Sequence, residues 1–189
     1  VNQYLLFHFG SQAEQQDDAL ATRIEFPSVV NLIDRTVELM NQFAPRRIKA
    51  LDLGCAVGRS TFELARTFES VVGLDYSDAF IDAAEHLRQK RSMEYKRWDT
   101  GAHHTTLKAS IDERIDRERI GFVQGDAANL AGAPMVHNNE QYDAILLSNL
   151  MCRLSAPAQC LQQFTEPDRY LKSGSILVIS SPNTWMAQY

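Results

Sequence analysis

The fold is decided by the stretch Ala50-Leu51-Asp52-Leu53-Gly54-Cys55-Ala56-Val57-Gly58-Arg59-Ser60. An apolar run typical of a strand ends at a pair of glycines, and a helical pattern follows. Glycine lets the backbone approach a ligand closely, and the first N–H groups of a helix are free to bind one. The stretch therefore predicts a strand, a ligand-binding turn over Gly54 to Gly58, and the start of a helix. A tight turn that binds nothing is the alternative.

Apolar runs and helical patterns alternate along the rest of the chain. The helical spacing of apolar residues over 29–43 predicts one helix, and further helices are predicted after Ser60 and after Ser77. A helix is also expected to contain Cys160 to Phe164 and Tyr170 and to end at Lys172-Ser173-Gly174. Alternation of this kind is typical of an α/β domain with a parallel sheet and helices on both faces. The predicted strands are 48–53, 71–74, 122–123, 142–147 and 176–179.

Two segments depart from this alternation within the single domain predicted over residues 1–189. Residues 1–45 form an N-terminal cap and helix, and the cap begins with an aromatic-rich stretch that includes Tyr4. Residues 91–121 form an insertion whose polar and apolar pattern predicts a hairpin. Long insertions in compact domains are usually functional or disordered, and we expect this one to lie near the substrate.

Acidic and amide side chains follow successive predicted strands. Asp75 ends the second strand, 23 residues after Asp52, near the offset at which an acid binds ribose hydroxyls. Asp126 follows the third strand, and Asn149 follows the fourth. Because the carboxyl ends of parallel strands meet at one edge of a sheet, these side chains should lie close together.

The glycine turn favours a ligand without phosphate. A dinucleotide-binding turn needs a second glycine where this sequence has Ala56, and a pyrophosphate requires the closest backbone approach. S-adenosylmethionine (SAM) presents an ammonium, a carboxylate and a sulfonium, and Asp52 suits its cationic side. An NAD(P)-dependent oxidoreductase and a non-catalytic SAM-binding module remain alternatives. The residues expected to bind SAM are Asp52, Gly54, Cys55, Ala56, Gly58, Asp75, Tyr76, Asp126, Ala127, Asn149 and Leu150.

Composition limits the partners. The formal net charge is −5 and no basic stripe is present, so we expect a small-molecule substrate and no nucleic acid. The three cysteines have no zinc-site spacing, so no metal site is predicted. No apolar run is long enough to span a membrane and no signal peptide is recognised, so we expect no membrane partner and a cytoplasmic protein.

The order of these motifs resembles class I SAM-dependent methyltransferases over nearly all of the chain. That resemblance implies a Rossmann-like fold. More narrowly, four segments resemble the methyltransferase domain of ovothiol-synthesis enzymes of the OvoA type. They are Tyr4-Leu5-Leu6-Phe7-His8-Phe9-Gly10, the run Leu51 to Ser60, Cys152-Arg153-Leu154 and Ser181-Pro182-Asn183-Thr184-Trp185. The resemblance implies methylation of an imidazole nitrogen of 5-thiohistidine, and fusion to or cooperation with an iron-dependent sulfoxide synthase domain. Another small-molecule acceptor is the alternative.

Methyl transfer to an imidazole needs a ring nitrogen with a free lone pair, and hence the neutral ring. A hydrogen-bond acceptor could hold the correct tautomer. The catalytic candidates are Asn149, Tyr4 and His8, with Asp99, His103 and His104 as further possibilities; for the two histidines a solvated hairpin tip is favoured. For Cys55 we expect a packed thiol, because this chemistry needs no nucleophile from the enzyme.

Class I methyltransferases resemble one another in having seven strands, and the last antiparallel pair is missing from this sequence. The run Ile176 to Ile179 is apolar on both faces, so an uncovered edge there would invite pairing with another chain. We therefore expect a longer protein, or a second copy that covers this edge. Trp185 and Tyr189 would then be candidate contact residues.

Overall fold

The computed structural model describes residues 1–15, 29–100, 102–136, 140–166 and 169–182. Short 3-10 helices lie at Arg117–Arg119, Leu130–Gly132 and Met151–Arg153. The helices and strands are, in chain order, α1 (Asn2–Phe9), α2 (Gln12–Gln15), α3 (Val29–Phe43), β1 (Lys49–Leu53), α4 (Arg59–Leu64), β2 (Ser70–Asp75), α5 (Asp78–Lys90), β3 (Ser92–Trp98), β4 (His104–Ser110), β5 (Ile120–Gln124), β6 (Tyr142–Ser148), α6 (Pro157–Gln162) and β7 (Leu171–Ser180).

Five strands form a parallel sheet in the order β5-β2-β1-β6-β7. The central strand β1 pairs with β2 on one side and with β6 on the other. All five strands therefore end at one carboxyl edge, where ligands of open α/β sheets bind. The predicted parallel α/β architecture is confirmed.

Side chains of the sheet alternate between two cores. Ala144 and Leu146 belong to the core that also contains Leu5 of α1 and Ile33 of α3. The sheet face covered by α1, α3, α4 and α5 is called the helical face below. Ile145 and Leu147 belong to the opposite core, which is covered by α6 and the 3-10 helices Leu130–Gly132 and Met151–Arg153. Strands apolar on both faces are expected of a sheet buried between two layers.

The insertion forms the predicted hairpin. Strands β3 and β4 pair antiparallel from Ser92↔Ser110 to Trp98↔His104. Tyr95 of β3 is buried in the same core as Leu5 of α1. The Arg97 guanidinium also donates a hydrogen bond to the Glu14 carbonyl, at 3.2 Å. The N-terminal segment and the insertion therefore pack against each other.

The predicted helix end before the last strand is wrong. Helix α6 ends at Gln162, and Tyr170 lies outside it, directly before β7. Gly174 lies within β7 at φ 83°, where the pairing shifts from Tyr142↔Leu171 to Ala144↔Ile176. A glycine with positive φ occurs both at helix ends and at strand bulges, so the residue type alone did not distinguish these two structures.

The last strand lies at the edge of the sheet. Among the described residues β7 pairs with β6 alone, and Ile179 is 44% exposed. The expectation that a further part of a longer protein or a second copy covers this edge stays a prediction. Its two candidate contact residues, Trp185 and Tyr189, lie outside the described residues.

A buried carboxylate ties the amino ends of three strands together. The Asp143 side chain of β6 accepts N–H hydrogen bonds from Ile48 and Lys49, at 3.1 and 3.0 Å. Its other oxygen lies 3.2 Å from the Lys172 ammonium of β7 and 3.5 Å from the Arg46 guanidinium. Burial would raise the pKa of Asp143, but the Lys49 N–H and the Lys172 ammonium outweigh burial and hold it below its ordinary value.

Replacing Asp143 should therefore weaken the whole sheet. Asp143→Ala leaves two N–H groups and an ammonium without their acceptor, and should lower the free energy of unfolding by about 3 kcal/mol. Asp143→Asn keeps one acceptor and should cost less. Urea unfolding measures both, with the exposed acid Glu94→Ala as control. A loss for Asp143→Ala no larger than for the control would contradict this role.

Candidate active site

The turn after β1 has a left-handed backbone at three residues. The φ angles are 74° at Gly54, 48° at Ala56 and 84° at Gly58. A Cβ atom built on Gly54 would lie 2.8 Å from Leu150 Cδ1, and one built on Gly58 would lie 2.7 Å from Phe122 Cζ. Both positions therefore require glycine, because Leu150 and Phe122 occupy the space that a side chain would need. The turn from Gly54 to Gly58 is called the cradle below.

The turn is hydrogen-bonded to the neighbouring strand. The backbone N–H groups of Gly54 and Cys55 both donate to the Leu74 carbonyl, at 2.7 and 3.1 Å. Cys55 is buried, and burial raises the pKa of its thiol well above the usual value. The thiol therefore stays protonated and fills space, as expected from the sequence. A cofactor contact by Cys55 stays a prediction.

Asp52 holds the turn from the helical face. Its carboxylate is 1% exposed and accepts hydrogen bonds from the Ser60 and Thr61 hydroxyls, at 2.6 and 2.7 Å. Burial raises the pKa of Asp52 to about 6, against the lowering effect of both hydroxyls. Both hydroxyls donate to the same carboxylate oxygen, Oδ2. A contact of Asp52 with the cationic side of a ligand stays a prediction.

Asp75 lies beside the turn, at the carboxyl end of β2. One of its oxygens accepts the Ala56 N–H and the other accepts the Ser77 N–H, both at 2.9 Å. Burial raises the pKa of Asp75, while these N–H donors act in the opposite direction. Each carboxylate oxygen retains lone-pair capacity for a further hydrogen bond, such as one from a ribose hydroxyl.

A cleft of about 440 Å³ lies beyond Asp75, and Tyr76, Gln124, Asp126 and Asn129 are among its lining residues. Ala127 is buried next to Asp126. The structure thus brings together the side chains expected around adenine. Gln124 was missed from the sequence; its side-chain amide donates to the Tyr76 carbonyl at 3.1 Å. Its place as the last residue of a strand, before Gly125, was the available signal.

The end of β6 meets the same turn. Asn149 has φ 53°, and its N–H donates to the Ser180 carbonyl at 2.9 Å. Asparagine tolerates this left-handed conformation better than most residues. Leu150 packs directly against Gly54. Asn149 and Leu150 therefore lie at the carboxyl edge beside the cradle, as expected.

Helix α1 packs on the two helices that follow β1 and β2. The Tyr4 ring lies 4.5 Å from the Phe80 ring, in the first turns of α5. The Arg59 guanidinium, at the first residue of α4, lies 5.6 Å from the Phe9 ring centroid. The aromatic side chains of α1 therefore contact both helices that begin at the candidate site.

His8 is neutral at physiological pH. Burial and the nearby Arg59 charge lower the pKa of His8 to about 4. The ring is half-buried, yet its Nδ1 atom is shielded from solvent and has no hydrogen-bond partner among the described residues. A neutral imidazole with a free ring nitrogen can accept or donate a hydrogen bond.

The other histidine candidates lie at the hairpin tip. His103 and His104 are exposed, and the Trp98 and His104 rings are 5.4 Å apart. Asp99 accepts hydrogen bonds from Arg97 and Thr105 at 2.9 and 2.8 Å. These contacts all lie within the hairpin, which favours a solvated tip for these residues.

The strand order, the glycine cradle and the acid at the end of β2 define a class I SAM-dependent methyltransferase fold. A family model described as a methyltransferase domain matches residues 51–177, and the chain belongs to that family. SAM is the cofactor of this class, and the cradle, Asp75 and the cleft fit it. The family match removes the NAD(P)-dependent oxidoreductase alternative.

Solved structures support the same fold at low sequence identity. YcgJ from Bacillus subtilis is 16% identical, with a TM-score of 0.55 over 77% of this chain and 50% of that one. The cyclase SpnF is 18% identical, with a TM-score of 0.58 over 82% and 45%. The glycopeptide N-methyltransferase MtfA, solved with SAM, is 18% identical, with a TM-score of 0.53 over 78% and 53%.

The chain spans about half the length of these solved structures. No curated protein sequence is significantly similar to it. Within the described ranges, no helix is long and apolar enough to cross a membrane. Within the same ranges, no group of three or more His, Cys, Asp or Glu side chains is placed to hold a metal ion.

Asp75 should contribute strongly to cofactor affinity. Asp75→Ala removes a charged acceptor of two ribose hydroxyls, and should weaken S-adenosylhomocysteine binding by about 2–3 kcal/mol. Isothermal calorimetry measures the affinity, and Asp78→Ala, an exposed acid at the start of α5, is the control. Wild-type affinity in a folded Asp75→Ala protein would contradict the placement of the ribose.

The raised pKa of Asp52 predicts how stability depends on pH. Between about pH 4 and pH 6 the folded protein binds a proton at Asp52 that the unfolded chain does not, so ionisation of Asp52 costs stability as the pH rises through this window. Asp52→Asn abolishes that term. Between pH 5 and pH 7, the wild type should lose about 1 kcal/mol more unfolding free energy than Asp52→Asn. Parallel stability curves for the two proteins, measured by denaturant unfolding, would refute the assignment.

Proposed function

We propose that this domain transfers a methyl group from SAM to an imidazole nitrogen of 5-thiohistidine, as in ovothiol biosynthesis. The observation that carries the proposal is the position of α1. The segment Tyr4 to Gly10 is one of those that resemble the ovothiol-synthesis methyltransferase domain. It packs through Tyr4 and Phe9 on Phe80 and Arg59, in the helices that follow Asp75 and the glycine turn.

The chemistry of the neighbouring side chains supports a small acceptor that reacts through a neutral imidazole ring. The candidates Tyr4, His8 and Asn149 offer neutral hydrogen-bonding groups and aromatic surface. His8 has a pKa of about 4 and does not add a positive charge at pH 7. The formal net charge of −5 gives no support to a polyanionic substrate.

The protein contributes mostly position and the exclusion of water. SAM, when bound, supplies a methyl carbon whose bond to sulfur breaks, with its electron pair leaving on sulfur, as the acceptor nitrogen lone pair forms the new bond. The cradle from Gly54 to Gly58 and the Asp75 carboxylate hold the cofactor. Helix α1 covers the acceptor, and Tyr4, His8 and Asn149 contact its ring.

We also propose that the domain is fused to, or works with, an iron-dependent sulfoxide synthase domain. A methyl acceptor that carries a thiol on an imidazole ring must first receive its sulfur. The family resemblance places that step in such a partner. Only the methyl-transfer half is proposed for the residues of this chain.

Two other functions are kept as outcomes of the test. Another small molecule could be the acceptor in the same site. The second is a non-catalytic SAM-binding module or a domain that catalyses a different reaction. A different reaction is kept because the matched cyclase SpnF has a fold of this type. Fold alone does not decide between these functions, because it hosts several chemistries.

The decisive experiment is methylation of a panel of imidazoles with methyl-labelled SAM. We expect 5-thiohistidine to be methylated, and histidine to react at least about tenfold more slowly, because a site with contacts to the thiol discriminates by roughly that amount. S-adenosylhomocysteine binding without methylation of any acceptor would favour the non-catalytic module. Methylation of another acceptor only would overturn the proposed substrate.

Helix α1 can be tested by a point substitution. Leu5 is fully buried, so deletion of residues 1–10 would also damage the core. Tyr4→Ala should lower kcat/KM for 5-thiohistidine by about tenfold or more, because it removes packing over the acceptor. Phe43→Ala, an exposed aromatic residue at the end of α3, is the control. Equal kcat/KM in Tyr4→Ala and the wild type would contradict the role of α1.

A further inference from the structure

Two serine hydroxyls form a pair at the carboxyl edge of the sheet. Ser148 ends β6 and Ser180 ends β7, and the two residues are paired in the strand register. Their Oγ atoms lie 3.0 Å apart, and either hydroxyl can be the donor. Both residues are only partly buried, so the pair is accessible from the edge.

The pair lies beside the candidate cofactor turn. Asn149 follows Ser148 directly, and its N–H donates to the Ser180 carbonyl at 2.9 Å. Leu150, one residue further on, packs against Gly54 of the cradle. A group bound at the pair is therefore close to a cofactor held in the cradle.

The pair projects toward the face that α1 covers. Side chains alternate along a strand, and Ala144 and Leu146 of β6 lie in the core of the helical face. Ile176 and Val178 of β7 pack against the same core. Ser148 and Ser180 continue these two rows, so they point to the same side of the sheet as Tyr4 and His8 of α1.

The chemistry of the pair matches a neutral ring. Each hydroxyl has one donor proton and two acceptor lone pairs. The bond between them uses one proton and one lone pair, which leaves one donor and three acceptor positions without any formal charge. Such a pair can accept the N–H of a neutral imidazole. A carboxylate ligand would require more donors than the one that the pair has free.

We propose that Ser148 and Ser180 hold the ring N–H of the imidazole acceptor and thereby select which ring nitrogen is methylated. This inference rests on the proposed function and deepens it. The hydroxyl pair accepts the N–H of one nitrogen, so the lone pair of the other nitrogen is directed at the methyl donor. As the new N–C bond forms and the C–S bond breaks, the ring becomes cationic. The N–H proton held by the pair is then released to water.

The test uses the whole protein with 5-thiohistidine as the probe. Single Ser148→Ala and Ser180→Ala variants and the double variant are compared with Ser173→Ala, an exposed serine in the same strand as Ser180. Calorimetry measures 5-thiohistidine binding to the S-adenosylhomocysteine complex. NMR of the product measures the ratio of the two N-methyl isomers.

We expect each single variant to weaken 5-thiohistidine binding by about tenfold. The double variant should produce a mixture of isomers where the wild type produces one. Affinity for S-adenosylhomocysteine should stay unchanged in all variants, and Ser173→Ala should behave as the wild type.

The outcomes separate the two proposals. A wild type that methylates 5-thiohistidine, with variants that keep its affinity and its single isomer, overturns the role of the pair and leaves the proposed function intact. If the variants lose thermal stability but keep the affinity for 5-thiohistidine and the isomer ratio, the pair only joins the ends of the two strands, and its role with the acceptor is overturned. A wild type that methylates no imidazole overturns the proposed function, and this inference with it.

Discussion

The candidate site depends on one buried interaction, the hydrogen bonding of the Asp52 carboxylate to the hydroxyls of Ser60 and Thr61. The turn between β1 and α4 has to adopt a left-handed backbone at three residues, one of which is Ala56. A left-handed residue other than glycine costs on the order of 1 kcal/mol. The two short hydrogen bonds fix the start of α4 against β1, and so hold the strained turn in place.

The same turn links the neighbouring strands to the ligand edge. Its Ala56 N–H orients the Asp75 carboxylate, while the Leu74 carbonyl accepts the N–H groups of Gly54 and Cys55. A change in the turn would thus move the acid that is expected to bind the ribose. Leu150 packs on Gly54 from the other side, so the ends of β2 and β6 are both positioned by the backbone of one short segment.

The groups proposed to contact the acceptor ring are uncharged. Burial and Arg59 lower the pKa of His8, and the Ser148 and Ser180 hydroxyls carry no charge. The Asp143 carboxylate accepts N–H groups and binds a lysine, and it lies at the opposite end of the sheet. This distribution suits an acceptor whose reacting nitrogen must be neutral.

Local patterns by themselves determined the main architecture. Apolar periodicity and turn residues depend on neighbours in sequence, so they predicted the parallel sheet, α3, the β3–β4 hairpin and the turn that carries Gly54 and Gly58. The order of the strand ends likewise predicted that Asp75, Asp126 and Asn149 meet at one edge. The site residues found in this way lie at the end of a strand or within two residues after it.

Tertiary structure alone decided the contacts between distant segments. Asp143 meets the Ile48 N–H across 95 residues of sequence, and Ser148 meets Ser180 across 32. Such contacts depend on strand order and register. A one-residue shift in register would turn each of these side chains to the opposite face of the sheet. For the same reason the sequence missed Gln124, missed the hydrogen bonds of Asp52 to Ser60 and Thr61, and took the bulge at Gly174 for a helix end. The residue type determines which hydrogen bonds a side chain can make. Only the packed sheet determines which partner lies within hydrogen-bonding distance.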